Sequence, residues 1–132
     1  MRYLLDTNIF ISYSRKGVTS DRIERKYHLL RGDTELFVSI VTLGELDSFI
    51  KQNQIGLRKQ SLINDLLNRC FQIDLNHQEI ISKYGDIDAF SQGKVRIPGH
   101  HFSARNMGKN DLWIAATASH YQLTLRTTDQ DF

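Results

Sequence analysis

Short apolar runs alternate along this chain with longer segments in which apolar residues recur at helical spacing. The runs at 3–6, 36–40, 71–74 and 123–127 predict strands, because each is short, apolar and bounded by polar or turn-forming residues. In the segment 57–69 the apolar residues instead fall on one face of a helix. Strands that are separated by helices favour a parallel sheet with helices on both faces. We therefore expect an α/β fold with a central parallel sheet of four or five strands.

Polar residues that favour helix N-termini indicate where the helices begin. The predicted helices start at Thr7 or Asn8, Ser20, Thr42, Leu57, Asn76 and Asn110, and end near Tyr13, Leu30, Asn53, Arg69, Phe90 and Tyr121. The segment 93–108 contains the only proline together with three glycines, and it predicts a long loop.

Length and composition indicate one globular domain spanning residues 1–132. Hydrophobic residues make up 40% and charged residues 24%, with a net charge of +2, which is ordinary for a globular protein. The chain has no run of about 18 apolar residues, so no transmembrane helix is predicted. The apolar run after Met1 is too short for a signal peptide. The single Cys70 fits a reducing cytoplasm, and we expect it to be a small, inert core residue.

Four acidic residues stand at predicted junctions between strands and helices: Asp6, Glu45, Asp111 and Asp129. Each has a structural explanation when it is taken alone. Asp6 suits a helix cap, and Glu45 suits a capping box with Thr42. Asp111 suits the positive end of a helix, and Asp129 suits a turn.

Taken together, the four acids predict a shared site. The carboxyl ends of parallel strands lie along one edge, and ligands bind beyond that edge in such folds. Two carboxylates about 4 Å apart repel each other by roughly 4 kcal/mol at an effective dielectric of about 20. A divalent cation relieves this repulsion, and a set of oxygen ligands suits Mg²⁺ or Mn²⁺ better than zinc. The acids therefore indicate metal-assisted hydrolysis of a phosphodiester.

Four stretches carry a family resemblance: Leu4–Asn8, Glu45 in the helix opened by Thr42, residues 110–118 and residues 125–132. Together they resemble the PIN domain, and most closely the VapC toxins of bacterial type II toxin–antitoxin pairs. The resemblance covers essentially the whole chain. It implies a cytoplasmic endoribonuclease that depends on Mg²⁺ or Mn²⁺, forms a homodimer and binds a cognate antitoxin.

The resemblance also implies roles for individual residues. It makes Asp6, Glu45, Asp111 and Asp129 the metal-binding and catalytic acids, with Asp131 as a rival for the last position. Family members usually continue past the final Asp-Phe pair. We therefore expect this chain to be either trimmed or shortened at its C-terminal edge.

Polar residues beside the acids are candidates for orienting carboxylates or contacting phosphate. They are Thr7, Asn8, Asn110 and Thr127, with turn or cap chemistry as the alternative interpretation.

The stretch from residue 94 to residue 110 contains no acid, and it carries Lys94, Arg96, Arg105 and Lys109. We interpret it as a region that contacts RNA by neutralising phosphates, with a solvated loop as the alternative. The neighbouring His100 and His101 lack a third ligand nearby, which argues against zinc there. The other histidines are interpreted as surface or helix-end residues: His28, His77 and His120.

A non-catalytic RNA-binding module is the competing interpretation, since it requires the basic stretch but not the acids. Such a module should keep its RNA affinity in EDTA and cut nothing. The leucines at 42–69 are interpreted mainly as core, and the same helices offer a groove in which an antitoxin segment could dock.

Overall fold

A computed structural model describes residues 1–92 and 108–128 of the chain. The strands in these ranges are β1 (Arg2–Leu5), β2 (Glu35–Ser39), β3 (Cys70–Ile73) and β4 (Thr124–Arg126). The helices are α1 (Thr7–Arg15), α2 (Val18–Tyr27), α3 (Ile40–Gln52), α4 (Leu57–Leu67), α5 (Gln78–Ser91) and α6 (Lys109–Tyr121). Apart from Gly108, the loop predicted at 93–108 lies outside the described residues. Within the described ranges, no helix has the length and apolar character needed to cross a membrane.

The four strands form one parallel sheet in the order β3-β2-β1-β4. In the central strand β1, Leu4 is paired with Phe37 of β2 on one side and with Leu125 of β4 on the other. The N–H of Asp6 still donates to the carbonyl of Arg126 at 3.0 Å, so this pairing persists to the point where the chain turns into α1. The predicted parallel α/β fold is confirmed, and the carboxyl ends of the strands share one edge.

Side chains of β1 alternate between two hydrophobic cores, as a strand requires. On one face, Tyr3 and Leu5 pack in a core with Phe10 of α1 and with residues of α2, α3 and α4. On the other face, Leu4 packs with Ile114 of α6. Helices therefore cover both faces of the sheet. Most apolar residues of α3 and α4 serve the first core, as predicted.

Cys70 at the start of β3 packs against the first core. Its thiol donates to the carbonyl of Leu66 at 3.3 Å. Burial raises the pKa of this thiol to about 12, partly offset by the positive charge of Arg69. The thiol therefore stays protonated at neutral pH, which agrees with the inert role predicted for it.

Two helices away from the acids begin at other residues than predicted. The N-cap of α2 is Gly17, and Ser20, which was predicted as the cap, accepts a hydrogen bond from the Gly17 N–H at 3.0 Å from within the first turn. The N-cap of α5 is His77 rather than Asn76, because the imidazole Nδ1 of His77 accepts from the N–H of Glu79 at 3.2 Å. A histidine is an uncommon cap, so the sequence pattern favoured the neighbouring asparagine.

Candidate active site

Asp6 follows the last residue of β1 and is the N-cap of α1. The residue is only 3% exposed. Its Oδ1 accepts from the N–H of Thr7 at 2.8 Å, and its Oδ2 accepts from the hydroxyl of Thr127 at 2.8 Å. Both oxygens are therefore held in fixed positions at the carboxyl edge of the sheet. The capping explanation for Asp6 is correct, and it leaves the residue at the place where a ligand is expected.

Glu45 lies in the second turn of α3, because that helix begins at Ile40. Its Oε1 accepts from the hydroxyl of Thr7 at 2.7 Å. The predicted capping box with Thr42 is wrong, since Ser39 is the cap of α3 and Thr42 is fully buried inside the helix. The local pattern assigned the carboxylate of Glu45 to a capping box with Thr42, but that carboxylate bonds instead to Thr7, which is distant in the sequence.

Asp111 is the third residue of α6, which begins at Lys109 after the N-cap Gly108. Asn110 therefore lies inside the first turn and is not the cap that was predicted. An acidic side chain in the first turn interacts favourably with the positive end of the helix. Asp111 and Asn110 both line the cleft that also contains the other two acids.

An open cleft of about 760 Å³ joins these elements at the edge of the sheet. Six of the predicted site residues line it: Asp6, Thr7, Asn8, Glu45, Asn110 and Asp111. Thr127 belongs to the same arrangement through its hydrogen bond to Asp6. Lys109 is exposed at the start of α6. The remaining predicted residues lie outside the described residues: Asp129, Asp131, Lys94, Arg96 and Arg105.

Sequence reasoning missed the further polar residues on the face of α3 that forms one wall of the cleft. Ser48 and Gln52 line the cleft and follow Glu45 at helical spacing, so counting along one helix face from Glu45 would have found them. Trp113 was predicted to be core, but it also lines the cleft. Its ring packs against that of Tyr84 with centroids 4.2 Å apart, which fixes the side chain between α5 and α6.

The family model of the PIN domain matches residues 3–132. Among solved structures, VapBC2 from Rickettsia felis bound to a DNA fragment from their promoter has a TM-score of 0.72 and 25% identity. That alignment covers 98% of this chain and 88% of the other. VapBC-1 from nontypeable Haemophilus influenzae has a TM-score of 0.68 and 27% identity over 98% of this chain and 87% of the other.

FitAcB from Neisseria gonorrhoeae shares the fold, with a TM-score of 0.63 and 23% identity over 98% of this chain and 88% of the other. Comparison with curated proteins gave no match. The fold, the strand-end acids and the match across nearly the entire sequence agree, and the chain belongs to the PIN domain family.

Proposed function

We propose that this protein is the toxin of a type II toxin–antitoxin pair, and that it hydrolyses RNA phosphodiester bonds as an endoribonuclease dependent on Mg²⁺ or Mn²⁺. The observation that carries the proposal is the presence of Asp6, Glu45 and Asp111 in one open cleft of a PIN-family fold. These acids come from three separate elements, at the sheet edge where α/β proteins bind their ligands.

The donor chemistry of the cleft fits a hard divalent cation. The three acids offer carboxylate oxygens, which Mg²⁺ and Mn²⁺ prefer over the nitrogen and sulfur ligands typical of zinc. The carboxylate oxygens of Asp6, Glu45 and Asp111 do not all lie within 4.8 Å of one another. This spacing is compatible with Mg²⁺, which usually keeps several water ligands and takes only one or two carboxylates directly.

The three acids of the cleft and the two threonines bonded to them have proposed tasks. Asp6 and Asp111 would hold the main ion, and Glu45 would hold a second ion or orient the attacking water. The hydroxyls of Thr127 and Thr7 fix the carboxylates of Asp6 and Glu45 through the hydrogen bonds described above. A bound divalent ion lowers the pKa of a water molecule and stabilises the charge that develops on the phosphate.

The fourth acid and the RNA contacts are proposed from sequence. Asp129 is the candidate for the fourth acid, with Asp131 as the alternative. Lys94, Arg96, Arg105 and Lys109 are the candidates for phosphate contacts. Such contacts would make RNA binding weaken as the salt concentration rises.

An antitoxin partner is proposed from the similar structures, which include VapBC2 and VapBC-1. Leu57 at the start of α4 is 85% exposed and is one apolar position that a partner would cover. A homodimer and a cytoplasmic location are part of the same proposal.

The decisive experiment is RNA cleavage by the wild type and by Asp6→Asn with millimolar Mg²⁺ or Mn²⁺. Asparagine is also a good N-cap, so the variant should fold. We expect cleavage to fall by about 10³-fold or more, equivalent to about 4 kcal/mol of transition-state stabilisation. Mn²⁺ should raise the melting temperature of the wild type but not that of the variant.

The matched control is Asp47→Asn, which removes an exposed carboxylate of α3 that pairs with Lys51 at 2.7 Å. This variant should cleave RNA at the wild-type rate. A melting temperature unaffected by Mn²⁺, together with intact cleavage in Asp6→Asn, would refute the proposed site. RNA binding that survives EDTA without any cleavage would instead favour a non-catalytic RNA-binding module.

A further inference from the structure

A second group of potential metal ligands lies at the ends of α5 and α6. His77, Glu79 and His120 each offer one ligand atom, and these atoms all lie within 4.8 Å of one another. Within residues 1–92 and 108–128, no other three His, Cys, Asp or Glu side chains bring their ligand atoms this close together. His120 is nine residues beyond Asp111 along α6, which corresponds to about 13 Å of helix. The group is therefore separate from the cleft.

The imidazole of His120 is held in place by its neighbours. Its Nδ1 lies 3.1 Å from Oε2 of Glu79. Its ring packs against the ring of His77, with centroids 4.3 Å apart, and against Tyr121 at 4.6 Å. The His120 side chain is only 13% exposed. A ligand that is already confined loses little conformational entropy when it binds an ion.

The side chains of His77 and Glu79 are exposed, so they have room to rotate towards an ion. Nδ1 of His77 accepts a hydrogen bond from the N–H of Glu79. This bond directs the Nε2 side of the ring away from the helix backbone. Ligand atoms that share a tetrahedral ion at about 2.0–2.1 Å lie about 3.3 Å apart. Because the ligand atoms all lie within 4.8 Å of one another, movements of at most about 1.5 Å bring them to this spacing, and rotations of the exposed side chains supply such movements.

We propose that His77, Glu79 and His120 form a zinc site that joins the start of α5 to the end of α6. Two imidazoles and one carboxylate, completed by water, are a ligand set typical of Zn²⁺, whereas the cleft offers oxygen ligands for Mg²⁺ or Mn²⁺. The site would clamp together the two helices that flank the segment 93–107. Its effect would be on stability, because a ligand that binds only the folded chain raises the free energy of unfolding.

The test is a titration of Zn²⁺ into the full chain without a polyhistidine tag. The chain carries Asp6→Asn, so that the cleft does not contribute. Calorimetry should report one Zn²⁺ per chain, and the melting temperature should rise with zinc. A hundredfold excess of Mg²⁺ should not displace the zinc. Because the starting variant already lacks the main proposed catalytic acid, failure of this test leaves the proposed function untouched.

Two substitutions assign the ligands. His77→Asn keeps a capping oxygen at the start of α5 and removes one imidazole. His120→Gln removes the other. Each should raise the apparent Kd for zinc by about ten-fold or more. The control is His28→Asn, which removes an exposed imidazole at the left-handed C-cap of α2, a conformation that asparagine tolerates.

Unchanged zinc affinity in His77→Asn and His120→Gln would overturn the proposal, because the ion would then be held by other residues such as His100 and His101. The same conclusion follows if His28→Asn weakens zinc binding as much as they do. If His120→Gln does not fold, His77→Asn alone decides the question.

Discussion

Two large cavities within the described residues of the protein differ more in chemistry than in size. The cleft beside Asp6 measures about 760 Å³, and a second cavity, lined by residues of α1, α2 and α4, measures about 910 Å³. The larger cavity mixes charges of both signs: Lys16, Arg25 and Arg31 with Asp21, Glu24 and Asp65. The smaller cleft gathers three acids from three separate elements.

The carboxylates of the two cavities also serve different purposes. In the larger cavity, Glu24 accepts from the hydroxyl of Tyr13 at 2.8 Å and from the N–H of Leu30 at 3.0 Å. These bonds tie the chain after α2 back to α1 and α2, so Glu24 has a structural role. In the cleft, hydroxyl groups likewise hold Asp6 and Glu45, but these carboxylates line open space beside a third acid.

Volume therefore does not separate the proposed active site from a cavity of mixed charges. The informative feature is the convergence of groups of one sign, oriented by hydrogen bonds, at the carboxyl edge of the sheet. A hydrogen bond from a hydroxyl to a carboxylate should therefore affect RNA cleavage when it lies in the cleft, and stability when it lies in the larger cavity. Substitutions of single hydroxyls test this distinction.

Among the substitutions of single hydroxyls, the largest effect should come from Thr127→Val, which removes the hydroxyl that holds Oδ2 of Asp6 while keeping the shape of the side chain. We expect RNA cleavage to fall by about 10- to 100-fold, as is typical when a group that orients a metal ligand is removed. Thr7→Val, which releases Oε1 of Glu45, should have an effect of the same order. Cleavage rates measured across a Mn²⁺ titration check both variants.

The matched control is Thr124→Val, which removes an exposed hydroxyl at the start of β4, the strand that Thr127 follows directly. It should cleave RNA at the wild-type rate. Equal losses in Thr124→Val and Thr127→Val would mean that the effect comes from the strand and not from the contact with Asp6. Full activity in Thr127→Val would contradict the prediction that hydroxyl–carboxylate bonds in the cleft affect activity.

The sheet and the convergence of Asp6, Glu45 and Asp111 on one cleft could be predicted because the strands and the junctions that follow them are visible as local patterns. Each strand is a short apolar run, and residues that follow parallel strands meet at one edge by geometry alone. Asp6 and Glu45 therefore lie in one cleft as expected. The roles of Asp6, Glu45, Asp111 and Asp129 in metal binding and catalysis stay predictions.

Contacts between distant parts of the chain could not be predicted. The spacing from Thr42 to Glu45 matches a capping box, but Thr7, 38 residues earlier, provides the actual donor to Glu45. His77 and His120 are likewise far apart in sequence, and only the packing of α5 on α6 brings their rings together. Spacing along one element contains no information about either pair.

Tyr13→Phe should have a smaller effect, and on stability rather than activity. The variant loses the hydrogen bond to Glu24 and should be less stable by about 1–2 kcal/mol at neutral pH, measured by urea denaturation. RNA cleavage should stay at the wild-type rate. A loss of cleavage without a loss of stability would show that the larger cavity has a part in the reaction.

The same tyrosine predicts a dependence on alkaline pH. Burial, followed by the hydrogen bond and charge of Glu24, raises the pKa of Tyr13 above its ordinary value. The stabilisation from the protonated hydroxyl is fully present below the unfolded pKa of about 10 and is lost as the pH rises beyond it. The stability difference between the wild type and Tyr13→Phe should therefore shrink between pH 9 and pH 11. A difference that grows over this range would contradict the assignment.

The smallest effect, and one with an informative sign, is expected for Thr42→Val. Thr42 is fully buried, and its Oγ1 has no hydrogen-bond partner among the described residues. Valine has nearly the same shape and removes a buried hydroxyl, so the variant should be more stable by about 1 kcal/mol. A helix cap at Thr42 would instead make the variant less stable by about 1 kcal/mol.

Ser39→Ala is the companion variant, because Ser39 accepts from the N–H of Val41 at 3.1 Å and should show that loss. Urea denaturation of the two variants thus determines which residue begins α3, the helix that carries Glu45 into the cleft.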